Sequence, residues 1–217
     1  MQKKFLSSLI VLLGVNFLIK PFWIFGIDRT VQNLTGPSEY GLYFAVFNFA
    51  FIFNIFLDLG ITNFNNRNIA QHSQLLKKHF YSISLLKILL GIIYLVITII
   101  VGYIIGYSSR QFFFLLFLAF NQFLLSFILY LRSNISGLQL FKTDSLLSVL
   151  DKFVMILICS YLIWGLSSSK PFQIEWFVYA QTLAYLITFF ITLIIVIQKA
   201  GLKKPKWNYP FFIMILK

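Results

Sequence analysis

Residues 80–105 read FYSISLLKILLGIIYLVITIIVGYII, a run whose single charged side chain is Lys87. The hydrocarbon core of a bilayer is about 30 Å thick and takes about 20 helical residues to cross, so this stretch is long enough to span it. It is not alone. Five more stretches of the same character follow or precede it: Phe5–Ile27, Tyr40–Phe64, Gln111–Leu131, Ser145–Gly165 and Ile174–Ile197. The chain is 59% apolar and 11% charged, against about 45–50% and 25% in soluble domains, which excludes a water-soluble class. The expected fold is all-α, a polytopic transmembrane helix bundle of six spans plus the start of a seventh. Residues 1–208 form the six-helix unit, and 209–217 open a further helix whose apolar run breaks off after Leu216. That ending makes the 217 residues read as part of a larger membrane protein.

Connections between the spans are short and carry turn chemistry, at Leu34-Thr35-Gly36-Pro37, Tyr107-Ser108-Ser109 and Ser167-Ser168-Ser169. The basic start Met1-Gln2-Lys3-Lys4 before an apolar run imitates a signal peptide, but no small-x-small cleavage site follows, so it reads as an uncleaved first helix. Basic residues decide orientation, because short loops rich in Lys and Arg stay on the cytoplasmic side. With the N-terminus inside, that side holds eleven of them and the other side three, among them Arg29 and Arg110. A cytoplasmic N-terminus in a multi-pass cell membrane protein is therefore expected. The net charge of +12 lies beside the spans and not along a soluble face, so membrane lipid and not nucleic acid is the expected polyanion.

Polar residues within the spans fall at steps of three and four, the spacing of one helical face. The seams run Ser84, Lys87, Gly91, Tyr94, Thr98; Gln122, Ser126, Tyr130, Ser133; Asp144, Ser148, Asp151; and Gln181, Tyr185, Thr188, Thr192, with Asn54 and Asp58 sharing a face of the second span. Interhelical hydrogen bonding and a hydrated cavity both account for such seams. In the cavity reading, Asn54, Asp58, Gln122 and Gln181 become substrate-binding candidates. Lys20 is the sharpest of all, since it lies just past the middle of the first span and precedes Pro21, which cannot donate to the carbonyl of Phe17. A charge at an opened helix inside the membrane is the pattern of transporters. Lys87 and Lys152 lie nearer the cytoplasmic ends of their spans and are expected to snorkel.

Nothing reads as a catalytic constellation. Walker, Gly-x-Ser-x-Gly and HExxH patterns are absent, His72 and His79 have no partners at metal-ligand spacing, and Cys159 stands alone. No enzyme activity, metal or cofactor is expected. Asn33-Leu34-Thr35 and Asn134-Ile135-Ser136 match the glycosylation sequon, a frequent chance pattern. Gly102 and Gly106 form a small-xxx-small pair suited to close helix packing.

The stretch Gly36-Pro37-Ser38-Glu39-Tyr40-Gly41-Leu42-Tyr43 resembles the turn between the first two helices in the polysaccharide and O-antigen flippase branch of the multidrug/oligosaccharidyl-lipid/polysaccharide exporter superfamily. Leu57-Asp58-Leu59-Gly60-Ile61, with Arg67 and Asn68-Ile69-Ala70 after it, resembles the end of the second helix there and the loop beyond. Structural roles are expected for Pro21, from the helix opening it imposes, and for Gly36, Pro37, Gly41 and Gly60 in the stretches that carry the resemblance. It implies two pseudosymmetric lobes around a central cavity, of which this chain supplies the first, and translocation of polyprenyl-pyrophosphate-linked oligosaccharide for surface polysaccharide, including lipopolysaccharide O-antigen. Lys20 is the position that matches the cavity cations thought to meet the pyrophosphate. The alternatives are a small-molecule exporter of the same superfamily, or a non-transport membrane subunit of polysaccharide assembly. An acidic residue in the first span, frequent in ion-coupled multidrug members, is not found within Phe5–Ile27.

Overall fold

The computed structural model describes residues 13–165 and 171–201. Five helical runs in it are long and apolar enough to cross a membrane: Leu13–Leu57, Leu75–Ile105, Ser109–Gly137, Phe141–Gly165 and Ile174–Ala200. Among the described residues there is no strand. The short apolar stretch after Pro210 lies outside the described residues.

The first run is not straight. Gly36 has φ 80° and ψ 168°, inside what is otherwise the continuous helix Arg29–Ile52. That positive φ suits glycine because there is no Cβ to clash with the backbone. Pro37 then sits in the first turn of the new arm, where its missing N–H costs nothing. The chain folds back at this point. The Tyr40 hydroxyl donates to both carboxylate oxygens of Asp28 at 3.0 Å, although a straight helix would separate the two Cα atoms by about 18 Å. Trp23 and Tyr43 both pack on Phe177, at centroid distances of 5.8 and 5.4 Å. The arm before Gly36, residues 13–35, is called α1, and the arm after it, residues 37–52, α2. Helix α1 is π-helical over Phe22–Asp28, directly after Pro21. The helix thus opens where a proline removes a backbone donor, as the sequence implies.

Helix α2 ends in the 3-10 turn Phe53–Leu57. The remaining helices are α3 (Ile61–Gln71), α4 (Leu75–Ile105), α5 (Ser109–Gly137), α6 (Phe141–Ser160, prolonged by the π-helical Tyr161–Gly165) and α7 (Ile174–Ala200). The second span, expected to be continuous over Tyr40–Phe64, is therefore a correction: it breaks between Leu57 and Ile61. Leu59 and Gly60 there take φ values of 45° and 83°, and the chain restarts as the polar helix α3. The first span, expected to end at Ile27, runs on to Gly36 and so includes Asp28.

Helix α5 is the hub, packing against α2, α3, α4, α6 and α7. The bundle has two distinguishable ends. At one, Arg110 donates to Glu39 and Glu175, tying the α1–α2 turn, the α4–α5 turn and the start of α7 together. The α4–α5 turn is closed by Gly106 at φ 84° and by a capping box, in which Ser108 N–H donates to Gln111 Oε1 at 2.8 Å. At the other end, Asn65 of α3 donates to Ser133 and Asn134 of α5, and the Tyr81 hydroxyl donates to the Gly201 carbonyl. Burial of the Asn134 side chain in this contact makes its sequon a chance match. An apolar cluster fills each end, with Trp23, Val46, Phe114 and Phe177 in one and Ile69, Phe80, Phe127 and Leu131 in the other.

The seams of α4, α5 and α7 face inward: Lys87, Gly91, Tyr94, Thr98, Gln122, Ser126, Tyr130, Ser133, Gln181, Tyr185, Thr188 and Thr192 are all buried. Gly91 is the seat of the Phe123 ring, whose carbons would lie 2.3 Å from an added Cβ. Gly102 similarly accommodates Leu115, while Gly106 serves the helix cap and not the packing. Gly137 lets α3 approach α5. A Cβ there would come to 2.9 Å from Ile69 Cβ and 3.1 Å from the Asn66 carbonyl oxygen, and a backbone atom cannot step aside as a side chain can. Gly137→Ala should therefore lower stability by about 1–3 kcal/mol, the usual cost of overpacking, read as a reduced thermal midpoint of the detergent-purified protein.

Candidate functional site

The break after α2 leaves the Leu57 carbonyl without a backbone donor. Two side chains from other helices satisfy it: Lys87 Nζ of α4 at 2.6 Å and the Ser126 hydroxyl of α5 at 3.2 Å. Lys87 also donates to Asp58 Oδ1 at 2.9 Å and to Ser126 Oγ at 2.7 Å, so all three ammonium protons are used. Its side chain is 1% exposed. The expected snorkelling of Lys87 is thus overturned. A helix C-terminus carries partial negative charge, and beside the Asp58 carboxylate it stabilises a buried cation more than an interface some turns away would.

Asp58 does two things at once. It pairs with Lys87, and it accepts from the Thr62 N–H at 3.3 Å and from the Thr62 hydroxyl, which caps α3. Its side chain is 34% exposed and lines an open cavity of about 440 Å³ together with Asn54. Two of the sequence's binding candidates, Asn54 and Asp58, therefore share one wall. Gln122 and Gln181 belong elsewhere, in a buried layer between the two apolar clusters, where Asn121 donates to Gln181 Oε1 at 3.4 Å. Asn121 Oδ1, Gln122 Oε1 and Thr188 Oγ1 in this layer are buried and have no hydrogen-bond partner among the described residues. The seams thus serve interhelical bonding in part, through Tyr94 to the Ala50 carbonyl and Tyr130 to the Phe80 carbonyl, and leave unfilled polar capacity in between.

Lys20 is in neither group. It projects from the outward face of α1, with exposed Phe17, Leu18, Phe22 and Ile24 around it in sequence, and has no hydrogen bond or ion pair to a described residue. Four other cations in the helices are paired: Lys87 with Asp58, Arg110 with Glu39 and Glu175, Arg132 with Asp144, and Lys152 with Asp151. Lys152, also expected to snorkel, lies instead against the rings of Trp23 and Tyr185 at 5.3 and 5.6 Å, a cation–π arrangement. Among the positions given structural roles, Gly36 and Gly60 hold positive φ, Pro21 precedes the π-helical segment and Pro37 opens α2. Gly41 sits on the exposed face of α2 with nothing within 4 Å of a Cβ.

Sequence reasoning missed the Lys87–Asp58 pair and the Arg110 clamp. Each joins residues at least 29 positions apart, and their one sequence signal is opposite charge at matching depth in antiparallel spans. The clamp also accounts for Glu39 and Tyr40 in the Gly-Pro-x-Glu-Tyr-Gly turn, since Glu39 meets Arg110 and Tyr40 meets Asp28.

Taken together, a bundle of long apolar helices with inward polar seams and ion pairs between helices defines a polytopic helical membrane protein. A model of the polysaccharide biosynthesis protein family matches residues 5–215. The chain belongs to that family. No curated protein matches it, and no solved structure does.

The two partners of the buried pair differ in exposure, and in detergent solution this orders the effect of removing them. Asp58→Ala strands a cation that cannot reach solvent and should cost about 3–5 kcal/mol. Lys87→Met leaves a carboxylate that the open cavity can hydrate, and should cost less. The Lys87→Met, Asp58→Asn double variant should be more stable than Asp58→Ala, all three being compared by thermal unfolding in detergent.

Proposed function

We propose that this chain takes part in flipping lipid-linked oligosaccharide across the cell membrane for surface polysaccharide synthesis. Family membership supports a role in polysaccharide biosynthesis, and the unpaired Lys20 carries the step to translocation. A lysine inside a span is costly unless it has a counter-charge. Lys87 and Lys152, within their spans, each have one, whereas Lys20 stands exposed two residues before the π-helical opening. A polyprenyl diphosphate is an anion that arrives within the membrane with its tail already in lipid. In this reading the work is binding and movement, not bond making. Helix α1 presents the cation, and a second lobe covers the outward face of α1. Lys20→Ala should abolish export of surface polysaccharide in a flippase-deficient strain complemented with the full reading frame, at unchanged membrane abundance. Lys20→Arg should retain part of it, because charge survives while geometry changes. Full export by Lys20→Ala would remove the basis of this reading.

We read the two arms of the folded first run as separate crossings, which makes six, with both ends of the described chain on the cytoplasmic side. Arg67, Lys77, Lys78, Arg132, Lys142 and Lys199 cluster at the α3 end of the bundle, against Arg29 and Arg110 at the Gly36 end, and the more basic end belongs in the cytoplasm. Cysteines placed at Ser38 and Ser109 in a Cys159→Ser background should react with an impermeant maleimide in intact cells, and those at Ser73 and Lys142 only after permeabilisation.

One observation favours a second reading, export of small molecules: α1 does carry an acidic residue, Asp28, half-buried and held by Tyr40. Efflux of a cationic dye that depends on Asp28, without any effect on polysaccharide export, would establish that reading instead.

A further inference from the structure

The cavity at the break between α2 and α3 has features that the diphosphate reading of Lys20 does not use. Its volume of about 440 Å³ lies within the usual range of small-molecule sites, about 300–1,000 Å³. Asn54 and Asn63 bring carboxamides to its wall, and neither side chain has a hydrogen-bond partner among the described residues. Asp58 Oδ1 is occupied by Lys87 and Thr62, but Oδ2 takes only a long 3.4 Å bond from the Thr62 N–H. Two amides and one carboxylate oxygen therefore offer both donors and acceptors to whatever enters. Phe51 and Leu129 give the same cavity an apolar side.

Charge decides what fits. Lys87 compensates Asp58 at 2.9 Å and has spent all its protons, so it has none left for an anion. A diphosphate would meet the carboxylate oxygen with no donor cation beside it. A metal ion would find one carboxylate, already neutralised. The complementary ligand is uncharged, with hydroxyl or acetamido groups on its edge and a C–H face for the Phe51 ring. That is the surface of a hexose or N-acetylhexosamine.

We propose that the cavity at the α2–α3 break is a subsite for a neutral or N-acetylated sugar ring, with Asn54, Asn63 and Asp58 Oδ2 as its hydrogen-bonding groups. This deepens the oligosaccharide reading and rests on it. The diphosphate is held by Lys20, and the glycan is held separately by a neutral polar pocket. Helix α3 is tied to this pocket through Asp58, so an occupied subsite bears on the same residue that caps α3 and pairs with Lys87.

The test uses the complete chain in phosphatidylcholine nanodiscs, with Ile55→Cys as a reporter on the cavity wall in a Cys159→Ser background. Diacetylchitobiose should slow maleimide labelling of the reporter, about tenfold when its concentration is ten times Kd. Asn54→Ala and Asn63→Ala should each remove the protection while leaving the thermal midpoint unchanged. The proposal is overturned if no sugar protects, or if glycerol at equal concentration protects as well. It is also overturned if inorganic pyrophosphate protects, which would make this an anion site, or if phosphatidylethanolamine added to the discs protects without sugar, which would make it a headgroup site. Polysaccharide export in the deficient strain separates the two levels. Export without sugar protection sinks the subsite alone, and protection without export sinks the flippase reading while the sugar site stands.

Discussion

The Leu57 carbonyl is the point on which this bundle turns. A helix that stops inside a membrane protein must find partners for its last carbonyls from protein, because lipid offers none. Here they come from Lys87 and Ser126, and the need to keep Lys87 charged brings Asp58 in as well. Three helices, α2, α4 and α5, thus meet at one ammonium group, and the same carboxylate starts α3. Buried ion pairs are weak contributors to net stability, but breaking one is costly, so such a junction fixes an arrangement more than it strengthens it. The break gains an open polar cavity by this means, without leaving the backbone unsatisfied.

The opposite end of the bundle is organised by a second charge network of different character. Arg110 bridges Glu39 and Glu175 in half-exposed positions, where ion pairs contribute modestly, about 1 kcal/mol or less each. Its effect is geometric. It holds together three connections that are otherwise free to drift, and it keeps the Gly36 fold-back in register with the start of α7. Between the two networks lies the layer of Asn121, Gln122, Gln181 and Thr188, which neither apolar cluster covers.

Against that background Lys20 differs from Lys87 and Lys152, the other lysines set well inside the spans. Lys87, Lys152, Arg110 and Arg132 each have a carboxylate within 4 Å, in keeping with the rule that intramembrane charges pair. Lys20 follows the rule only if its counter-ion comes from outside the chain. Lys87 and Lys152 thus hold the bundle together, and the role proposed for Lys20 rests on its having no such carboxylate partner among the described residues.

The sequence by itself determined that the chain is a membrane bundle, where most of its helices lie, and which faces of α4, α5 and α7 turn inward. Those properties follow from apolar run length and from the helical period, both local in the chain. It also located Gly36, Pro37 and Pro21 as places where the helix must bend or open, because their backbone chemistry is independent of context. Only the tertiary structure decided the fates of Lys87 and Lys152, which by depth alone could have snorkelled, and whose partners sit on other helices or at the end of one. It also decided that the second span does break at Leu57, where the resemblance marks a helix end but the apolar run reads straight through. The stretch Phe53–Ile61 has no proline to announce this, and the break is tolerable only because α4 and α5 deliver a lysine and a serine to the exposed carbonyl. Asn54 and Asp58 share a helical face in the sequence, but their common cavity is completed by α5 and by the start of α3. A pairing between helices is set by how the helices pack, and the period of any single helix carries no record of it.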